Sequence, residues 1–356
     1  MPSFIDLFTP QAIAMYWEET NNSNIPYLSR TFFGQRQKQG LDLKWLKGYK
    51  GLPVSLLPST FDAKARFRDP IGLEAINTEM PFFREGYLIK EKDRQGMLRI
   101  LDSGDPYARE AIARCFDGVS ELIEGARVVA EREVCQLLAP ESGEAGISIT
   151  ANGVDYTYDY DPNGTWKTNN YTDISATAND KWSASTTADP ISNIQAIDED
   201  ASARGITLSY MIMSYKTFGY LLKSENVRSA ILAQNLTANV FVTDAVVRNV
   251  FRTLLGKEII IANGQYKDET GATNQFFPDD YVTLVPDGEL GVVWKGTTPE
   301  EADLMASPTA RVSIVDGGTA VSQIIVPHPV NVETYVSEIV LPSFERMDEV
   351  FVAKVN

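Results

Sequence analysis

A chain of 356 residues that is 44% hydrophobic and 22% charged has the composition of a globular protein with a sizeable core, which excludes wholesale disorder. Its formal net charge of −16 excludes a surface that coats nucleic acid with basic side chains, though not one that encloses nucleic acid without gripping it. The start, MPSFIDLFTP, lacks the basic and apolar regions of a signal peptide, and no apolar run reaches the roughly eighteen residues of a membrane span, so a reducing cytoplasm is the expected setting.

Thr9-Pro10 pairs an N-cap residue with proline at the first helical position, which predicts a short amphipathic helix to about Trp17. After the polar stretch EETNNSNIPYLSR, residues 31–58 alternate without settling into helix. Leu57 to Leu88 then form a long, charged excursion. Phe61, Ala63, Ala65 and Phe67 alternate with Asp62, Lys64, Arg66 and Arg68, so its first limb reads as a half-exposed strand. Asp69-Pro70 and Ile71-Gly72 turn it, and EAINTEMPFF returns it. Excursions of this length are unusual in a compact domain and commonly functional.

The strongest local signal is DPYAREAIARCFDGVSELIEGARVVAEREVCQLLAP. Asp105 caps it, Pro106 takes the first helical position, and Pro140 bars continuation. Ile112, Cys115, Phe116, Val119, Leu122, Ile123, Ala126, Val129 and Val134 recur along one stripe. A rod of about 48 Å is expected, long enough to span the molecule. The only cysteines, Cys115 and Cys135, lie on it about 30 Å apart, beyond disulfide reach, and Cys115 reads as inert core.

In DYTYDYDPNGTWKTNN, Asp159, Asp161, Asn163 and Gly164 fall on the first, third, fifth and sixth positions of a calcium loop. The twelfth position needs a bidentate Glu and holds Asn170. Val154, Tyr156, Tyr158 and Tyr160 alternate with polar residues as a strand does. We read Asp161-Pro162-Asn163-Gly164 as the tip of an exposed β-hairpin, with Trp166 and Thr168 opening the return strand. YTDISATANDKWSASTTADP is linker-like. Helix–strand alternation through ISNIQAIDEDASARG, ITLSYMIMS, YKTFGYLLKSENVRSAIL, TDAVVRNVFRTLLG and EIIIANGQY predicts an α/β sub-domain with a small sheet. NQFFPDDYVTLVP adds a strand, and residues 320–356 hold further strands.

Chemistry has few footholds. The single histidine, His328, sits between two prolines with no nucleophile elbow or metal spacing around it, and reads as a solvated loop residue. VDGGTA lacks the Walker lysine and the G-x-G-x-x-G frame. Asp198, Glu199 and Asp200 point in different directions on a helix and read as a solvated acidic face. No enzyme activity and no cofactor is predicted.

The order of parts resembles the major capsid proteins of tailed phages with the Hong Kong 97 fold, most closely the lambda head-protein branch. The resemblance is carried by DPYAREAIARCFDGVSELIEGARVVAEREVCQLL, by GITLSYMIMSYKTFGYLLKSENVRSAI, and by NGQYKDETGATNQFFPDDYVTLVP with the later GVVWKG, across residues 25–356. It implies an α+β capsid fold: an N-terminal arm (1–45), an extended E-loop region (46–90), a peripheral domain with the long spine helix (91–145), a β-hairpin insertion and linker (146–190), an axial α/β domain (191–325) and peripheral return strands (326–356). It further implies a structural subunit that self-assembles as hexamers and pentamers into the icosahedral shell around double-stranded DNA, in a virion assembled in the host cytoplasm. Scaffolding protein, portal and a decoration protein are the implied partners, with no membrane. Lys64, Arg66, Arg68, Glu74 and Glu79 of the E-loop are the expected inter-subunit contacts. A lysine–asparagine crosslink, imaginable between Lys64 and Asn356, is not expected in this branch. The alternatives are an α/β-domain enzyme and an encapsulin-type compartment shell.

Overall fold

The computed structural model of the chain describes residues 8–20, 27–47, 74–89, 95, 107–151, 153–234, 242–268, 270–304, 310–327 and 330–356. Helix α1 (Pro10–Thr20) opens as its sequence requires, with the Thr9 hydroxyl accepting from the Ala12 amide at 3.2 Å. A single turn, α2 (Leu28–Thr31), leads to β1 (Phe33–Lys38) and β2 (Asp42–Lys47). Next come β3 (Glu74–Glu79), β4 (Phe82–Ile89) and the 32-residue helix α3 (Tyr107–Leu138). The hairpin β5 (Gly146–Ala151) and β6 (Val154–Asp159) is followed by α4 (Thr165–Asn170) and β7 (Tyr171–Asp173). Then follow α5 (Pro190–Ala203), β8 (Leu208–Met213), α6 (Tyr215–Lys223), α7 (Glu225–Gln234), α8 (Asp244–Leu255) and β9 (Glu258–Ile261). The remaining strands are β10 (Gln265–Lys267), β11 (Thr273–Gln275), β12 (Tyr281–Pro286), β13 (Gly291–Gly296), β14 (Ala310–Val315), β15 (Thr319–Pro327), β16 (Val330–Ser343) and β17 (Phe351–Lys354). Among the described residues no helix is long and apolar enough to cross a membrane.

The chain divides into two compact units. The first takes Met1–Lys44, Asn77–Arg132 and Val292–Ser343. Its sheet runs β1-β13-β16-β15-β14, with β4 also paired to β16. The fourteen residues of β16 serve three neighbours: β4 from Val332 to Ile339, β15 from Val330 to Ser337, and β13 from Val340 to Ser343. One face carries Val321, Val332, Val336 and Ile89, which pack with Phe8 just before α1, Ile13 and Trp17 of α1, and Cys115, Val119 and Ile123 of α3. Those three helical positions are spaced by four, the period that keeps one stripe inward. Phe116, expected in the same stripe, is only half-buried, its ring 5.0 Å from Phe8 and 5.1 Å from Tyr16.

The second unit takes Trp45–Ile76, Glu133–Gly291 and Phe344–Asn356. Its mixed sheet runs β7-β17-β12-β8-β9. The β8–β9 pair is parallel, so the chain must cross over between them, and it does so through α6, α7 and α8. Phe218, Leu221, Val227, Val247 and Phe251 from those helices bury against Met211, Met213, Val282, Leu284 and Phe351 of the sheet. Helix α8 stops at Gly256, whose φ of +66° lets the Lys257 amide reach back to the Phe251 carbonyl at 3.3 Å.

Two local expectations are corrected here. The tyrosine strand exists as β6, but it pairs upstream with β5 through Asn152-Gly153, a two-residue connection with Gly153 at φ +79°. The expected return strand at Trp166 and Thr168 is instead helix α4. Asp161 decides this: its carboxylate accepts from the Trp166 amide at 3.0 Å and the Lys167 amide at 2.9 Å. Trp166 is fully buried, and its indole N–H donates to the carbonyls of Met347 and Val350. The stretch read as a linker is also anchored, because Trp182 is wholly buried and its amide donates to the Val355 carbonyl at 2.9 Å.

Candidate functional site

Of the expected inter-subunit contacts, Lys64, Arg66 and Arg68 lie outside the described residues, as does His328. Glu74 opens β3 with its side chain likewise outside, and Glu79 closes β3 at the surface. What the structure describes is the frame of the excursion. The chain enters residues 48–73 from β2 and returns on β3, and these two strands pair with each other. The returning limb then continues into β4 and joins the first unit's sheet on β16, from Phe82↔Ile339 to Ile89↔Val332.

VDGGTA, which lacked the frame of a phosphate loop, is the turn between β14 and β15. Asp316 holds φ +49° there, and Gly318 leaves room that a Cβ would take from the Lys295 side chain, 2.7 Å away. Asp316 is the centre of a charge cluster. Both of its carboxylate oxygens accept from Arg30 at 2.7 Å, and Arg127 donates to them at 3.0 and 3.1 Å. Lys295 lies 3.7 Å from the carboxylate, donates to the Asp316 carbonyl at 2.9 Å, and pairs with Glu338 at 2.7 Å. Thr319 donates to Glu338 at 2.9 Å, and the Arg127 guanidinium lies 4.3 Å over the Trp17 ring.

Burial pushes the Asp316 carboxyl up, but the Arg127 hydrogen bonds, the Lys295 charge and the Arg30 hydrogen bonds reverse this and hold it at about 2. Lys295 and Glu338 are nearly closed to solvent, at 6% and 2% exposed, whereas the Arg30 side chain is 43% exposed. Every carboxylate here faces a cation, and the Lys295 amine and Thr319 hydroxyl are both engaged with Glu338. The cluster's chemistry is that of a lock which ties the α2 turn, α3, β13, the β14–β15 turn and β16 into one unit.

A second buried charge lies in the other unit. Strand β2 alternates inward and outward, and its inward positions are Leu43, Trp45 and Lys47. The Lys47 amine, on a residue only 6% exposed, lies 3.3 Å from the Tyr160 carbonyl, 3.7 Å from Asp348 and 4.0 Å from Asp161. The Trp45 ring lies 5.5 Å from that of Tyr160. Burial pushes the Tyr160 phenol well above its ordinary range, and the neighbouring Glu133 adds to this. Asp198, expected on a solvated face, instead meets the buried Lys257 at 2.7 Å, while Glu199 and Asp200 are exposed. Lys47, Lys295 and Glu338 carry one signal that sequence reasoning passed over: a charged residue at an inward strand position, which requires a buried partner. Among the described residues no group of three or more His, Cys, Asp or Glu side chains could hold a metal ion.

The sequence matches the family model of the phage major capsid protein E over residues 11–355. No curated protein matches it. Among solved structures, a protein assigned to the capsid of an E. coli CFT073 prophage superposes with a TM-score of 0.58 at 12% identity, over 98% of this chain and 99% of that one. A phage-related protein from Bordetella bronchiseptica RB50 gives 0.56 at 9% identity, over 97% of each chain. The capsid protein of cyanophage A-1(L) gives 0.50 at 12% identity, over 93% of this chain and 92% of that one. At these identities the likeness is one of fold.

Proposed function

The chain belongs to the phage major capsid protein E family, and from that premise we propose how it builds the shell of a phage head. Hexamers and pentamers of the subunit tile an icosahedral shell that encloses double-stranded DNA. The observation that carries this reading is the family match, which spans residues 11–355 and therefore both compact units. Residues 191–325 supply the axial domain at the capsomer centre. The long helix and the return strands of residues 326–356 supply the peripheral domain, and the excursion that begins at Leu57 reaches to a neighbouring subunit.

The net charge of −16 supports enclosure without adhesion, since an acidic wall repels phosphate and leaves DNA free to slide during packaging. A scaffolding protein, a portal and a decoration protein are partners of other chains, and assembly takes place in the host cytoplasm. The subunit's work is structural rather than enzymatic. Electron microscopy of the purified protein tests the reading, with uniform shells or capsomer rings as the expected result. A monodisperse subunit that forms neither and turns over a substrate overturns it in favour of an α/β enzyme. Shells that carry protein cargo in place of DNA point to an encapsulin-type compartment.

A further inference from the structure

We propose that Lys47 is a positioning residue for assembly: the corner made by Tyr160, Asp161 and Asp348 is a seat that fixes the direction in which the chain leaves β2 for residues 48–73. The inference rests on the reading of that excursion as an inter-subunit loop. It also gives a role in assembly to the 154–170 segment, whose Tyr160 and Trp166 are buried in the fold.

Three observations carry it. A lysine in place of an apolar residue at the third inward position of β2 is costly to bury unless it is paired. Its amine donates to the Tyr160 carbonyl at 3.3 Å and faces the Asp348 and Asp161 carboxylates at 3.7 and 4.0 Å, so it sits as a point charge in a cup of three oxygens. The cup, moreover, has holds besides the lysine. Asp161 is held by the Trp166 and Lys167 amides, and the Asn170 side-chain amide donates at 2.8 Å to the carbonyls of both Asp348 and Val350. A preformed seat that grips the end of a strand orients the chain beyond it.

The anchor sits where residues 48–73 begin, at the last residue of β2.

The test compares wild type, Lys47→Met, Lys47→Arg and Asp348→Asn by hydrogen exchange on the unassembled subunit and by electron microscopy of the assembly products. In Lys47→Met the β2 amides should exchange at least tenfold faster while those of α4 keep their wild-type rates, and uniform shells should fall at least tenfold in yield or broaden in diameter. Lys47→Arg should restore uniform shells, and Asp348→Asn should show an intermediate loosening of β2. Unchanged β2 exchange in Lys47→Met overturns the seat. Loosened β2 with wild-type shell yield and diameter overturns its role in assembly. A Lys47→Met chain that does not fold, together with unchanged β2 exchange in Asp348→Asn, overturns it as well, because Lys47 would then belong to the core. If wild type itself forms no shells, the shell reading fails, and the exchange measurements still decide the seat.

Discussion

At the scale of single residues, stability is concentrated where charges are buried in pairs. Asp316→Asn removes the anion that faces Arg30, Arg127 and Lys295, and it should lower the unfolding free energy of the isolated subunit by about 2–4 kcal/mol, read by urea denaturation. The sign of the acid response follows from the depressed value. With a folded value of about 2 and an ordinary one near 4, the unfolded chain binds the proton first as pH falls. This contribution, about 2 kcal/mol once solvent screening is discounted, is complete above about pH 4 and lost as pH drops toward 2. The Asn variant should therefore lose stability less steeply across that window. Calcium should give no heat on calorimetric titration. The Asp161 carboxylate is committed to two amides, Asp159 accepts from the Asp161 amide at 2.9 Å, and the Asn170 amide group is bonded to two carbonyls and to Arg204. Micromolar binding abolished by Asp161→Ala would contradict this.

At the scale of elements, the graded burial along α3 makes its own prediction. Ile123→Ala, at a fully closed position, should cost about 2–4 kcal/mol. Phe116→Ala should cost less than a core phenylalanine, about 1–2 kcal/mol, because the ring is only partly buried where it packs against the cluster beside Phe8 and Tyr16. Equal thermal shifts for the two variants would contradict that order. Helices such as α1, α3 and α5 were legible because each carries its boundaries locally: Thr9-Pro10, Pro140, and Asp189, whose carboxylate accepts from the Ser192 amide at 3.0 Å. Helix α4 was not legible, since TWKTNN has no helical period, and its state is settled by a distant carboxylate and by the burial of Trp166. Strand β6 was readable from its alternation, but its partner was not, because Asn152-Gly153 and Asp161-Pro162-Asn163-Gly164 both offer a turn. Trp182 was hidden by the polar residues around it. The Asp316 cluster joins residues from Arg30 to Glu338, a span over which no local pattern operates.

At the scale of the whole molecule, an acidic subunit must be drawn to copies of itself. The basic limb of the excursion supplies the attraction we propose. The triple change Lys64→Glu, Arg66→Glu, Arg68→Glu should leave the subunit folded by circular dichroism and impair shell formation. Exposed pairs contribute about 0–1 kcal/mol each, so none decides folding, yet repeated around every subunit they add through multivalency. Screening weakens them with salt, so the gap between mutant and wild type should be widest at low ionic strength. Normal shells at every salt concentration would show that the loop does not work as an electrostatic clamp, and an unfolded mutant would place it in the core.

The late position of β16 and β17 has a consequence for how the protein is made. Strand β16 lies between β13 and β15 and also receives β4, while β17 lies between β12 and β7. Both sheets thus take an interior strand from residues 330–354. Until residues 330–354 have been made neither sheet can close, so the preceding residues alone leave no finished surface to offer a neighbour.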